Sequence, residues 1–190
     1  MFARTLVGPM TLAEYVAAEL SADARHEYLR GEVFAMAGGS LEHAALASAL
    51  ARDVGAALRG KPCRVFSADA RVRVEATDLT TYPDLSVVCG ELQRAATDER
   101  AMLNPIVIFE VLSDSTEAYD RGAKASHYRS IPSLQEYVLV AQSEPRVEVQ
   151  RRNANGHWEI HEFGPGKHAA LESLGISLAV DALYENPLPS

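Results

Sequence analysis

Residues 105–112 read Pro105-Ile106-Val107-Ile108-Phe109-Glu110-Val111-Leu112. Apart from Glu110 the stretch is apolar, as expected of a strand covered on both faces. A carboxylate inside such a strand is costly unless it is paired, hydrogen-bonded or bound to a cation. Two further stretches have the same character: Leu85 to Cys89 (LSVVC) and residues 136–141 (EYVLVA). The segments around them read as helices. In residues 41–59, Leu46, Leu50, Val54 and Leu58 recur every four positions, with Ser40 as N-cap and Gly60 as stop. Residues 116–130 read as a helix with Ser115 as cap, and residues 11–20 as a short amphipathic helix with Thr11 and Glu14 in a capping box. Residues 26–36 read as two strands around an Arg30-Gly31 turn, and 146–151 with 157–163 as a hairpin around Asn155-Gly156. The period changes to two at residue 62. Val72 and Val74 alternate with Arg71, Arg73 and Glu75, which predicts a half-exposed strand. Residues 91–104 read as a polar connection with some helical turns, and 177–184 as a strand followed by a helical turn. The expected fold is α/β (α+β): a mixed central sheet flanked by helices, one domain over residues 1–190 with 1–10 as an N-terminal extension.

The 190 residues are 47% hydrophobic and 23% charged, which excludes a disordered chain. No apolar run approaches the roughly 18–20 residues that cross a bilayer, and the N-terminus does not read as a signal peptide. The expectation is a cytoplasmic protein without membrane contact. Cys63 and Cys89 have no CxxC spacing and read as buried reduced thiols. The net charge of −8 argues against a broad basic surface. It leaves room for a local site at which a cation bridges protein and phosphate.

The chemistry concentrates on two carboxylates. Asp84 follows Pro83 at the start of LSVVC, and Glu110 interrupts the strand above. Two acids entering from neighbouring strands suit a hard divalent cation, which takes few carboxylates and keeps several waters. Lys124, on the helix after the Glu110 strand, could orient water and offset phosphate charge. The bland readings are a turn role for Asp84, an Arg ion pair for Glu110, and an exposed Lys124 paired with Asp120 at i, i+4. Asp120, Lys124 and Tyr128 share a helical face under either reading. Arg71 and Arg73 fit a solvated strand face better than a DNA groove, and His157 and His161 fit a hairpin surface. No GxSxG, GxGxxG or P-loop is present.

The ordered set Tyr82-Pro83-Asp84-Leu85-Ser86-Val87-Val88, Phe109-Glu110-Val111-Leu112-Ser113, Ser115-Thr116, Tyr119-Asp120-Arg121, Lys124, Tyr128 and Leu134-Gln135-Glu136-Tyr137 resembles the Uma-type restriction endonuclease family. That family was formerly a domain of unknown function, within the PD-(D/E)XK nuclease superfamily. The similarity takes in residues 26–32 (HEYLRGE), His43 and Leu183-Tyr184. The resemblance implies a restriction-endonuclease-like core and metal-dependent hydrolysis of DNA. Asp84 and Glu110 would hold Mg²⁺ or Mn²⁺, with the Val111 carbonyl as third ligand. The superfamily pattern places a lysine two residues after the acid, and here that position is Leu112. Lys124 would supply the amine from the following helix. His43 would reach the cleft, and Glu27 would complete the acidic cluster, with Glu32 and Glu42 as competitors. Asp69 has no assignment. DNA is the expected substrate and a homodimer the expected assembly. The competing class is a non-catalytic nucleic-acid-binding or regulatory module that keeps the nuclease fold, motivated by the net charge and by Leu112.

Overall fold

A computed structural model describes residues 3–4, 9–36 and 38–185. In chain order the strands are β1 (Ala3–Arg4), β2 (His26–Leu29), β3 (Glu32–Ala35), β4 (Cys63–Ser67), β5 (Arg71–Val74), β6 (Leu79–Thr81), β7 (Leu85–Cys89), β8 (Arg94–Ala95), β9 (Asp98–Met102), β10 (Val107–Leu112), β11 (Glu136–Ala141), β12 (Val147–Arg152), β13 (Trp158–Phe163), β14 (His168–Leu171) and β15 (Ile176–Ala179). The helices are α1 (Leu12–Glu19), α2 (Leu41–Ala57), a broken helix over residues 117–129, and a closing turn Val180–Leu183. The expected mixed α/β architecture is present, with two large sheets. A six-stranded sheet runs β13-β12-β11-β10-β7-β4, and a seven-stranded sheet runs β1-β3-β2-β6-β5-β9-β8. Each is mixed: β10 and β11 are parallel in the first, β5 and β9 in the second. The extension expected over residues 1–10 lies largely outside the described residues; Ala3–Arg4 add a short strand to β3.

The side-chain alternation of β10 divides the interior. Val107, Phe109 and Val111 face a core shared with Leu46, Leu50 and Val54 of α2, the β14–β15 ribbon and Leu183. Ile108 and Leu112 face the other way, into a core with Tyr128 of the broken helix, Tyr137 of β11 and Val72, Val74 and Leu79 of the seven-stranded sheet. Glu110 shares the parity of Ile108 and Leu112, so it points to this second side. The hairpin turn Arg30-Gly31 holds both residues at positive φ, +51° and +90°, the geometry that matches strand twist in a two-residue connection.

Several local expectations change. Residues 91–104 form β8 and β9 rather than helical turns, because Ala101 and Met102 are buried in a parallel pairing with β5 and Asp98 is buried against Arg71. Arg71 and Arg73 are buried, not solvated. Arg71 pairs with Asp98 at 3.2 Å, and Arg73 pairs with Asp78 and donates to Thr80 Oγ1. The Arg71 partner is remote in the chain, whereas Asp78 lies on the turn that follows Arg73. Thr116, rather than Ser115, stands at the N-cap of the broken helix; the Ser115 hydroxyl bonds Ser113 Oγ instead. Cys63 and Cys89 are joined as a disulfide, not reduced thiols. The pairing of β4 with β7 sets them directly opposite, with Cα atoms 3.9 Å apart. Asp69 pairs with Arg25 at the surface. Among the described residues no helix is long and apolar enough to cross a membrane.

Candidate active site

The antiparallel pairing of β7 with β10 sets Leu85 opposite Phe109. Asp84 immediately precedes Leu85, close enough to Glu110 for its charge to raise that carboxyl's pKa. Asp84 is fixed from two sides. Its Oδ2 accepts the Val111 backbone N–H at 2.8 Å, and its Oδ1 meets His43 Nε2 at 2.9 Å. His43 is delivered by the first turn of α2, whose start is set by the Ser40 hydroxyl accepting the His43 N–H at 3.2 Å. The hydrogen bond to Asp84 raises the His43 pKa, against the opposing effect of burial.

Glu110 is 4% exposed. Its Oε1 accepts the Tyr128 hydroxyl at 2.8 Å and lies 2.7 Å from Lys124 Nζ. Burial holds the Glu110 carboxyl well above the usual carboxylate range; Lys124 opposes that shift, while Asp84 and Asp120 reinforce it. Lys124 is buried rather than exposed, which decides against the solvated-helix reading. Its ammonium stands 3.4 Å from Asp120 Oδ1 and 3.7 Å from Glu27 Oε1. Burial alone would lower the Lys124 pKa, but Glu110, Glu27 and Asp120 outweigh it and hold the amine charged. The Tyr119 and Tyr128 rings flank the ammonium at 6.0 and 5.9 Å.

Glu27, from β2, is the acidic candidate of the N-terminal region that reaches the cluster. It is buried and accepts the Thr81 hydroxyl from β6. Glu42 is exposed at the start of α2, and Glu32 is exposed on β3. Asp120 is the residue the sequence reading undervalued. The sequence places it in the Tyr119-Asp120-Arg121 segment and on one helical face with Lys124 but gives it no site role, yet it is buried, and burial raises its pKa. Its shared spacing with Lys124 and Tyr128 was the available signal.

The arrangement gathers Glu110, Asp120 and Glu27 around a single lysine, with Asp84 held by His43 and the Val111 N–H beside them. Negative charge is in excess, in a site from which most water is excluded. Among the described residues no three His, Cys, Asp or Glu side chains form a ready-made metal set. A site of two carboxylates completed by a backbone carbonyl and waters requires no such set.

Residues 12–181 match the family Uma2, described as "Putative restriction endonuclease". The chain belongs to the Uma2 family. Two uncharacterized proteins of Synechocystis sp. (strain ATCC 27184 / PCC 6803 / Kazusa) are similar over nearly their whole length. Protein slr1290 is 35% identical over 90% of this chain and 89% of its own. Protein sll1609 is 32% identical over 86% and 92%. A crystal structure described as a putative nuclease belonging to DUF820, from Anabaena variabilis ATCC 29413, superposes with a TM-score of 0.74. It covers 93% of this chain and 98% of that one at 20% identity, a likeness of fold. In this Uma2 family member the residues brought together at Glu110 come from β2, the start of β7, β10, the broken helix and α2. All of these lie within the matched span.

Proposed function

We propose that the protein is a metal-dependent endonuclease that hydrolyses DNA phosphodiester bonds at the Asp84–Glu110 cluster. The observation that carries this reading is the electrostatic proximity of two carboxylates, with a buried lysine 2.7 Å from one of them. Asp84 and Glu110 would hold Mg²⁺ or Mn²⁺ with the Val111 carbonyl. The donor chemistry fits a hard cation, and the Glu110 carboxyl, raised by burial and then by Asp84 and Asp120, is one that a divalent ion would favour in its charged form. When bound, the ion supplies Lewis acidity toward the scissile phosphate and a more acidic water. The chain's own residues do the remaining work. Lys124 offsets charge developing on the phosphate and orients the attacking water. His43 fixes the Asp84 carboxylate and stands at the more open edge of the site, where it can hydrogen-bond a phosphate oxygen. Asp120 and Glu27 keep Lys124 protonated. Leu112 packs in the apolar core, so the strand position that normally carries the amine has become structural.

Family membership and the nuclease-like fold support the reaction class. Cutting both strands of a duplex suits a two-fold homodimer, which sedimentation tests directly. Plasmid nicking with Mn²⁺ tests the reaction. Cleavage that disappears in Asp84→Ala, with the fold intact by circular dichroism, is the expected result. Equal cleavage by parent and variant would refute it, and Mn²⁺ binding without cleavage would favour a non-catalytic module.

A further inference from the structure

The helix that carries Lys124 is not regular. An α-helical turn, Glu117–Tyr119, passes into a π-helical segment, Asp120–Lys124, and then returns to α-helix over Ala125–Arg129. A π-turn absorbs one extra residue and rotates everything after it relative to everything before. Two arginines record the consequence. Arg121, inside the turn, donates from Nε to Glu117 Oε1 at 2.7 Å and from Nη1 to Glu148 Oε2. Arg129, beyond it, donates from Nη2 to Gln150 Oε1 at 2.6 Å. Glu148 and Gln150 sit two residues apart on β12, and Gln150 Nε2 donates to Glu148 Oε1 at 2.7 Å. The two arginines thus grip one strand face through a continuous ladder, Glu117–Arg121–Glu148–Gln150–Arg129. In a regular α-helix, residues eight apart are rotated by about 80°, so both could not face β12. With one residue taken up by the π-turn the offset falls to about 20°, as across a heptad.

Register ties this ladder to the site. Glu110 pairs with Leu139 of β11, and Leu139 pairs with Glu148 of β12, so Glu148 stands two strands from Glu110 at the same level of the sheet. A helix clamped to Glu148 is clamped beside Glu110.

We propose that the Arg121–Glu148 ladder holds the π-turn and thereby sets Lys124 against Glu110, which makes Arg121 a positioning residue for the amine. The proposal rests on the reading of Lys124 as the amine of a phosphodiesterase. The π-turn is the physical means by which a helix residue takes the place left by Leu112. The excess residue is borne at the exposed Gly122-Ala123 step, where a Cβ on Gly122 would meet nothing within 4 Å.

Amine labelling gives a readout independent of cleavage. The chain has three lysines, Lys61, Lys124 and Lys167. In the parent, brief acetylation with acetic anhydride followed by mass spectrometry should leave Lys124 protected and label the exposed Lys167. In Arg121→Ala, Lys124 labelling should rise at least fivefold. The kcat for Mn²⁺-dependent nicking should fall at least tenfold with KM within twofold, and Arg121→Lys should restore both in part. Deleting Gly122, which returns the helix to regular geometry, should unmask Lys124 even with Arg121 present. Unchanged labelling and unchanged kcat in Arg121→Ala and in the deletion would overturn the proposal. Lys124→Met separates the two claims: full cleavage by that variant sinks the reading of Lys124, whatever the labelling shows.

Discussion

Two buried glutamates in adjacent parallel strands have opposite surroundings. Glu136 opens β11 and is fully enclosed. It accepts from Arg151 Nε at 2.8 Å, from the backbone N–H groups of Glu172 and Ser173 at 3.1 and 3.2 Å, and from the Ser173 hydroxyl. Its donors come from β12 and from the turn after β14, and the opposite charge is that of Arg151, which also pairs with Glu172. Glu110, one strand away in β10, has Tyr128 and a lysine that it shares with Asp120 and Glu27. Its surroundings add negative charge rather than remove it. The lesson is that burial of a carboxylate does not by itself mark a site. A saturated carboxylate is architecture; one short of donors and crowded by like charge stores free energy that a cation can release.

The contrast can be broken most severely at Glu136. Glu136→Ala strands the Arg151 charge and frees two backbone donors, and should cost about 5 kcal/mol, at the upper end for a broken buried pair. Urea unfolding measures it; a cost near that of a surface substitution would remove the distinction. Lys124→Met should cost about 3 kcal/mol at neutral pH, because Glu110 loses its cation. That deficit should depend on pH. A carboxyl whose native pKa is raised stabilises the fold below its ordinary pKa, and that contribution is lost as pH rises through the native value. Removing Lys124 pushes Glu110 further up. The Tm gap between parent and variant should therefore narrow as pH falls from about 8 to about 5.5, whereas a gap that widens on acidification would contradict the assigned charge balance.

Smaller changes sharpen the comparison donor by donor. Ser173→Ala removes one hydrogen bond to the Glu136 carboxylate and should cost about 2 kcal/mol. Tyr128→Phe removes one from Glu110 and should cost about 1 kcal/mol, because a carboxyl that is harder to ionise gains less from a donor. Denaturant midpoints of the two variants, taken side by side, rank them; a reversed order would mean that Glu110 is the better satisfied of the two. The smallest effect expected is that of Glu110→Gln on stability. Relief of repulsion from Asp84 and Asp120 offsets the weaker bond to Lys124, and unfolding should move by less than about 1 kcal/mol while nicking is lost.

The sequence made Glu110 visible because a charge inside an apolar strand has few explanations. Asp84 was legible from its place before LSVVC, and α2 from its four-residue spacing. Other features depend on partners far along the chain. Asp120 looks like an ordinary surface acid until tertiary packing closes over it, and only that packing separates Glu27 from its competitors Glu32 and Glu42. Arg71 and Arg73 alternate like a wet strand, but Asp98 neutralises the first inside the protein and the half-buried Asp78 neutralises the second. The disulfide follows from the register of β4 on β7, which no local pattern records. The π-turn is equally hidden, since its residues suit a regular helix and its geometry is set by β12. The seven-stranded sheet shares that origin: β8 and β9 are short, polar in composition, and formed by pairing with β5.

The central claim is that Asp84 and Glu110 hold one divalent ion between them. Isothermal titration with Mn²⁺ tests it with least intervention. The parent should bind in the micromolar to millimolar range, and Asp84→Asn and Glu110→Gln should each abolish the heat of binding with their folds retained. Ser173→Ala, next to the other buried glutamate, should bind as the parent does. A parent that takes up no Mn²⁺ at millimolar concentration, or a Glu110→Gln variant that binds it unchanged, would contradict the account.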